Sequence, residues 1–241
     1  MREHTDRIRA SRYVHEFIND RTEIHVMPKT STLTDVRTLR QKARQNIDDG
    51  SVTAGYSADR GVVLKLLNDS LATELVCVLR YRHHYFMARG IHSQSVAQEF
   101  LDHSNEEQGH ADQIAERIVQ LGGVPDFDPR GLTTRSHAEY VESDSLVGMI
   151  RENLVAERIA IDSYREIINY LSNDDPTTRR MMEGILAMEE EHADDITDLL
   201  FAQGEDGGRR PLYYKDEVPA ESKAGQPMKS EGAGAGRKER H

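Results

Sequence analysis

Two short stretches of the chain decide its fold: Glu-Glu-Gln-Gly-His at residues 106–110 and Glu-Glu-Glu-His at residues 189–192. Each places a glutamate one helical turn before a histidine, at Glu107-x-x-His110 and Glu189-x-x-His192. Both pairs interrupt a series of apolar residues spaced three and four apart, the pattern of a buried helix face. The sequence therefore predicts ionisable side chains that face a helical core.

Two further apolar series each contain a single glutamate at the corresponding place, Glu74 and Glu157. The apolar neighbours on these faces are Leu67, Leu71, Val78 and Tyr81 in the first series and Ile150, Leu154, Ile161 and Tyr164 in the second. Four predicted helices thus each carry one carboxylate in the middle of the core-facing side.

The helical segments and their connections predict an all-α four-helix bundle with one long crossover. Gly90, the Gly122-Gly123 pair and Gly204 are typical helix stops, and Pro176 is typical of a helix start. Ser57 is the predicted N-cap of the first long helix. The long helices are predicted near residues 57–89, 93–121, 143–172 and 176–204, with a shorter one at about 34–47 and the crossover at about 122–142.

Charge and composition divide the 241 residues into regions. The net charge is −11 overall, whereas residues 208–241 contain eight basic and five acidic residues. Segments rich in charge and glycine bury too little apolar surface to order themselves. We expect the regions to be a flexible extension (1–30), a short helix with a linker (31–56), the bundle (57–204) and a flexible, basic, Gly-rich tail (205–241).

Several function classes are disfavoured by composition. Cys77 is the single cysteine, which excludes a disulfide framework within the chain and cysteine-based metal sites. No apolar run approaches the roughly 20 residues that cross a bilayer, and the amino terminus lacks an apolar signal core. We therefore expect a cytoplasmic protein that makes no membrane contact.

Four buried carboxylates demand compensating positive charge. Burying one unpaired carboxylate costs at least several kcal/mol, and four would exceed the roughly 5–15 kcal/mol stability of a typical domain. Two divalent metal ions would neutralise the charge, and Glu oxygen with His nitrogen suits iron, manganese or zinc. The predicted ligands are Glu74, Glu107, His110, Glu157, Glu189 and His192. The opposing interpretation is that the glutamates are solvated and the helix phase is shifted by one residue.

Over residues 57–203 the chain resembles the bacterioferritins of the ferritin-like superfamily. The matching motifs are Leu71–Val76, Glu106–Asp112, Leu121–Pro125, the segment around Glu157, and Ile185–His192. The resemblance implies a ferritin-like bundle with two iron ions per subunit, which oxidises Fe(II) to Fe(III) with O2 or H2O2. It implies that Glu107 and Glu189 bridge the ions, with Glu74 and His110 completing one site and Glu157 and His192 the other.

Three further side chains near the predicted ligands are assigned roles from their position in the sequence. Tyr81 follows Glu74 by two helical turns on the same face, which makes it a candidate electron donor to the metal pair, although a core tyrosine would show the same spacing. Tyr164 stands in the same relation to Glu157 and is interpreted as packing. His103 is interpreted as a core or surface residue rather than part of a metal route.

Two departures from the bacterioferritin pattern carry predictions. Gln108 occupies the position of the haem-ligating methionine, so no bis-Met haem is expected. No amphipathic fifth helix follows residue 204, which favours a 12-subunit cage of the DNA-protecting mini-ferritin (Dps) kind over 24 subunits. The basic termini make DNA a possible partner.

Other functions fit the same scaffold. One is a protective DNA-binding cage in which the metal site is secondary, and another is a manganese catalase or peroxidase. A purely structural bundle would leave the carboxylates without a role in iron oxidation. Metal analysis, DNA retardation and substitution of Glu107 distinguish these alternatives.

Overall fold

The computed structural model describes residues 33–88 and 93–204. The flexible extension predicted at 1–30 and the tail predicted at 205–241 lie outside the described residues. The chain divides into two compact units, residues 1–54 and 55–241. In the first unit, helix α1 spans Val36–Lys42 and a 3-10 turn spans Ile47–Asp49. The helix is shorter than the predicted 34–47.

The second unit contains the predicted bundle, and the described residues include no strand. Its four long helices are α2 (Arg60–Met87), α3 (Ser93–Gln120), α5 (Leu146–Leu171) and α6 (Pro176–Ala202). The crossover between α3 and α5 contains a 3-10 turn (Pro129–Gly131) and the single-turn helix α4 (Leu132–Arg135), neither of which was predicted. None of the described helices is long and apolar enough to span a membrane.

Side-chain caps fix where the long helices begin. Asp59, Ser145 and Asp175 each accept a hydrogen bond from the backbone N–H three residues later, at the starts of α2, α5 and α6. The prediction that Ser57 caps α2 is wrong. Its hydroxyl instead donates to the Asp174 carboxylate at 3.0 Å, because Asp59 lies closer to the first helical turn.

The end of α3 is set by Gly122. This residue has a φ of 74°, in the left-handed region that favours glycine. The following N–H, of Gly123, donates to Ile118 O at 2.9 Å, which satisfies a carbonyl of the last turn. The chain therefore leaves α3 at the predicted glycine pair and enters the crossover.

The crossover follows α2 toward its carboxyl end. Asp126 N donates to Asn68 Oδ1 at 2.8 Å, and Arg80 Nη1 donates to Glu139 O at 2.9 Å. Because residues farther along the crossover contact residues farther along α2, the connection traverses the bundle. Helix α5 consequently enters beside the end of α2 and runs antiparallel to it. Neighbouring long helices are antiparallel in the pairs α2–α3, α2–α5, α3–α6 and α5–α6.

Candidate metal centre

The six predicted ligands all lie inside the bundle. Their exposed fractions are 0% for Glu107 and Glu157, 1% for Glu74, Glu189 and His192, and 5% for His110. The opposing interpretation, in which the glutamates are solvated, is therefore wrong. The helix phase is correct on all four helices, since each one turns its mid-stripe carboxylate inward.

The first half of the centre surrounds Nδ1 of His110. This nitrogen lies 3.0 Å from Glu189 Oε1, 3.4 Å from Glu107 Oε2 and 3.5 Å from Glu74 Oε2. One ligand atom from each of the four residues lies within 4.8 Å of the others. Three helices, α2, α3 and α6, thus contribute to one cluster that has the donors and the spacing of a metal site.

The second half surrounds Nδ1 of His192. This atom lies 3.4 Å from Glu107 Oε1 and 3.9 Å from Glu157 Oε2, and Glu189 completes the group within the same 4.8 Å limit. Glu107 and Glu189 belong to both halves, and each half has one further glutamate and one histidine. The six residues therefore form two overlapping four-residue groups.

Seven side-chain atoms of these residues are buried and make no hydrogen bond with the described part of the chain. They are Glu74 Oε2, both carboxylate oxygens of Glu107, Glu157 Oε2, Glu189 Oε1, His110 Nδ1 and His192 Nδ1. A buried polar atom without a partner costs about 1–3 kcal/mol, and more when charged. Divalent ions would provide the missing partners, so the donor set fits a dimetal site by its own chemistry.

Burial and mutual repulsion raise the pKa of three carboxyl groups. Removal from water is the largest cause for Glu74, Glu157 and Glu189, and the negative charge of Glu107 adds to it in each case. In metal-free protein these groups hold protons more tightly than an exposed glutamate does. Bound protons can therefore offset part of the negative charge that metal ions would otherwise neutralise.

The remaining charged groups of the centre carry opposite shifts. Burial alone would raise the pKa of Glu107, but close polar contacts with Glu74, His110 and His192 outweigh it and lower that pKa well below its usual range. Burial opposes charge on His192, yet contact with Glu107 raises its pKa to about 9. Burial also opposes charge on His110, but contacts with the carboxylates of Glu107, Glu189 and Glu74 raise its pKa. Both imidazoles therefore hold a proton more tightly than an exposed histidine does when the metal is absent.

Two tyrosines cross the bundle to reach the glutamates. Tyr81 on α2 donates its hydroxyl hydrogen to Glu157 on α5, and Tyr164 on α5 donates to Glu74 on α2. Tyr81 therefore contacts the glutamate of the opposite helix, not the one two turns earlier on its own helix. The interpretation of Tyr164 as simple packing is wrong, because its hydroxyl donates a hydrogen bond to the buried carboxylate of Glu74.

Two side chains that the sequence did not assign to the centre contact it, and a third, Arg80, interacts electrostatically with Glu157 and Glu107. Glu106 Oε2 accepts a hydrogen bond from His192 Nε2 at 2.8 Å. His103 is buried, stacks on His192 with ring centroids 4.1 Å apart, and places Nδ1 3.3 Å from the Tyr81 hydroxyl. Arg80 is 1% exposed and donates to Asn153 Oδ1 at 3.0 Å. No periodic signal marks Arg80, because it lies beside the apolar stripe and not in it.

The model of the ferritin-like domain matches residues 64–202 of this chain. This range includes all four long helices except the first four residues of α2, and all six buried residues of the centre. The chain belongs to the ferritin-like family. Its likeness to bacterioferritins and Dps proteins is that of distant homologues, as the following relatives indicate.

Two curated relatives illustrate this likeness, one named a DNA-binding protein and the other a bacterioferritin. A nutrient stress-induced DNA-binding protein from Nostoc sp. is 33% identical over 170 residues, which cover 67% of this chain and 88% of the relative. A bacterioferritin from Mycobacterium leprae is 30% identical over 147 residues, which cover 60% of this chain and 87% of the relative. Relatives with both names therefore match more than half of this chain.

Solved structures agree on the architecture. A dodecameric thioferritin, described as the bacterioferritin-related protein from Bacteroides fragilis, superposes with a TM-score of 0.58 at 34% identity, covering 60% of this chain and 87% of that one. Dps from Thermosynechococcus elongatus gives a TM-score of 0.57 at 20% identity, covering 60% and 93%. The second likeness supports the fold alone.

Proposed function

We propose that the protein is a ferroxidase that oxidises Fe(II) to Fe(III) with O2 or H2O2 and serves iron storage or protection from peroxide. The observation that carries the proposal is the set of unpartnered ligand atoms shared between two overlapping four-residue groups. Two Fe(II) ions are the substrate. Each yields one electron, so a pair supplies the two electrons that convert H2O2 and two protons to two water molecules.

In this proposal the six ligands divide as their contacts suggest. Glu107 and Glu189, which belong to both groups, would be shared by the two ions. Glu74 with His110 and Glu157 with His192 complete the separate coordination spheres. An all-oxygen-and-nitrogen set keeps both oxidation states of iron bound while leaving positions for the oxidant.

Tyr81 is proposed as a residue that delivers an electron or a proton at the centre. Its hydroxyl contacts Glu157, which is one of the proposed ligands. Glu157 accepts the phenolic proton, and the second contact, with His103 Nδ1, holds the phenolic oxygen in place. Tyr164 has the Glu74 contact, and no imidazole contact is described for it, so we assign it to positioning that carboxylate.

A closed homo-oligomeric cage, with 12 subunits favoured over 24, is proposed as the assembly. The support is the likeness to a structure described as dodecameric, at 34% identity. Absence of bis-Met haem remains a prediction from Gln108, whose side-chain amide donates to Asp112 at 3.0 Å. Mass measurement of the assembled protein tests the subunit count, and the absorption spectrum of haem-reconstituted protein tests the second point.

DNA binding is a second proposed function, favoured by the relative from Nostoc that is named a DNA-binding protein. The basic residues of the sequence ends, which would contact phosphates, lie outside the described residues. Retardation of duplex DNA that weakens with salt and disappears on deletion of residues 208–241 would support it. Equal retardation by the deleted and complete proteins would contradict it.

An aerobic Fe(II) titration of metal-free protein tests the proposed ferroxidase. Ferric absorbance and iron retained per chain are followed together. Protein-dependent oxidation with a break at two irons per chain is the expected result, and continued retention beyond the break supports storage. Oxidation no faster than in buffer contradicts the proposal and leaves manganese chemistry on the same scaffold to be tested.

A further inference from the structure

A second group of ligand-type side chains lies beside the six-residue centre. It comprises Glu99 and His103 on α3 and Asp195 on α6, and one atom from each lies within 4.8 Å of the others. His103 Nε2 is 3.4 Å from Glu99 Oε1 and 4.0 Å from Asp195 Oδ2. The spacing of one helical turn between Glu99 and His103 places both on the same side of α3.

The contacts of Tyr81 determine which nitrogen of His103 carries hydrogen. A phenol has one hydrogen, and Tyr81 donates it to Glu157. The contact between Tyr81 Oη and His103 Nδ1 at 3.3 Å must then use a hydrogen from the imidazole. A neutral imidazole with hydrogen on Nδ1 has a lone pair on Nε2. The nitrogen that faces Glu99 and Asp195 is consequently an acceptor.

Packing holds this lone pair in place. His103 is 2% exposed and lies between two rings, stacked on His192 and edge-on to Tyr81 with centroids 5.4 Å apart. It cannot swing toward water without opening the bundle. A fixed nitrogen lone pair and two carboxylates therefore converge, and none of the three supplies a donor to the others.

We propose that Glu99, His103 and Asp195 form a third divalent-cation site. One nitrogen and two carboxylates suit first-row ions such as Fe(II), Mn(II), Co(II) and Zn(II). The carboxylate side chains are 36% and 50% exposed, so water can fill the remaining coordination positions and ions can enter from solvent. This site shares no ligand with the six-residue centre and goes beyond the proposed ferroxidase activity.

The surrounding charge favours cation binding. Further acidic side chains interact electrostatically with the two carboxylates: Asp102 and Glu106 with Glu99, and Glu191, Asp194 and Asp198 with Asp195. A concentration of one charge sign raises the local concentration of the opposite ion. The site therefore lies where cations from solvent accumulate beside the buried centre.

Anaerobic Co(II) titration of the metal-free, assembled protein tests the site, because Co(II) binds to nitrogen and oxygen ligands without turnover. Bound ions per chain are counted by calorimetry and by metal analysis after gel filtration. The proposal predicts that the Glu99→Gln/Asp195→Asn variant binds one ion fewer than the wild type. The matched control Glu116→Gln, an exposed glutamate on the same helix, retains the wild-type count.

The difference in bound Co(II) per chain between the wild type and the double variant tests the third site. The number of ions that the double variant still binds tests the six-residue centre. Three ions in the wild type and two in the double variant support both sites. One ion in the wild type and none in the double variant support the third site and contradict the dimetal centre. Equal counts in the wild type and the double variant overturn the third site, whatever the rate of iron oxidation. Circular dichroism checks folding, and the single Asp195→Asn variant, whose side chain is half-exposed, provides the same comparison if the double variant unfolds.

Discussion

The carboxylate of Glu106 on α3 accepts a hydrogen bond from His192 Nε2 on α6 at 2.8 Å, although the residues are 86 positions apart. Because a carboxylate accepts, the ring hydrogen lies on Nε2, and Nδ1 is left facing Glu107 and Glu157. A carboxylate that binds the outer nitrogen of a ligating histidine fixes both its tautomer and its orientation.

Glu106→Ala should weaken metal binding at the half of the centre that contains His192. Loss of such a partner typically costs about 10- to 100-fold in affinity, since the imidazole is no longer held in one orientation. Anaerobic Co(II) calorimetry measures the change, and Glu116→Ala is the control. Unaltered affinity in Glu106→Ala would show that packing alone orients the ring.

Replacing Tyr81 or Tyr164 by phenylalanine should destabilise the fold equally, but only the change at Tyr81 should affect the chemistry. Tyr81→Phe and Tyr164→Phe each remove a buried donor from a carboxylate, which should cost about 1–3 kcal/mol in the unfolding free energy of metal-free protein. Only Tyr81→Phe should abolish a tyrosyl radical signal during Fe(II) oxidation, because Tyr81 also contacts His103. Electron paramagnetic resonance on samples frozen during turnover distinguishes them; a signal that survives in Tyr81→Phe would remove its proposed role.

Metal binding should release protons and strengthen with pH. The pKa values of Glu74, Glu157 and Glu189 are raised by burial and that of His192 is raised to about 9, so these groups hold protons more tightly in metal-free protein than exposed side chains do. Ions must displace those protons, so affinity falls as pH falls. Calorimetry with Mn(II) in buffers of different ionisation enthalpy, between pH 6 and 8, counts the released protons. A count of zero throughout would contradict the electrostatic account.

Asp175 should be the most costly acidic residue to remove outside the centre. It is 2% exposed, caps α6 through Thr178 N, and binds Arg117 Nη2 at 3.0 Å and the Tyr56 hydroxyl at 3.0 Å. Asp175→Ala leaves the Arg117 charge without its partner, at a cost of roughly 3–5 kcal/mol. Asp175→Asn, which keeps the capping oxygen, should cost less. Urea unfolding of both variants measures the difference, and equal losses would contradict the ion-pair contribution.

Asp175 should also make the fold less stable in acid. Burial raises the pKa of Asp175, but hydrogen bonds from Thr178 and Tyr56 and the charge of Arg117 outweigh it and lower that pKa below its usual 3.8. A lowered folded-state pKa stabilises the fold above the unfolded-state pKa. That stability is lost as pH falls through 3.8 toward the folded-state value. The Asp175→Asn variant should lack this part of the acid dependence.

The sequence predicted the bundle and its buried glutamates because both follow from the spacing of residues along a single helix. Apolar spacing identified the buried face of each long helix, and a carboxylate on that face is detectable without knowing its neighbours. The crossover also followed from the distance between Gly122 and the next apolar series. Its internal helix α4 was missed, because four residues are too few to show a period.

Contacts between helices could not be predicted in the same way. The period places Tyr81 and Glu74 on one face of α2, but it does not identify which side chains of α5 lie opposite them. The crossed pairs Tyr81–Glu157 and Tyr164–Glu74 depend on the antiparallel register of the two helices. Glu106 and His103 were missed as partners of the centre for the same reason, since both act through contacts with other helices.

The central claim is that the buried carboxylates shared by both groups hold iron for oxidation. Stopped-flow measurement of ferric absorbance after mixing metal-free protein with two Fe(II) per chain tests it most directly, with wild type, Glu107→Ala/Glu189→Ala and the control Glu116→Ala. We predict rapid oxidation in the wild type and the control, and a rate no greater than that of buffer in the double variant. Oxidation at the wild-type rate by a folded double variant would contradict the claim.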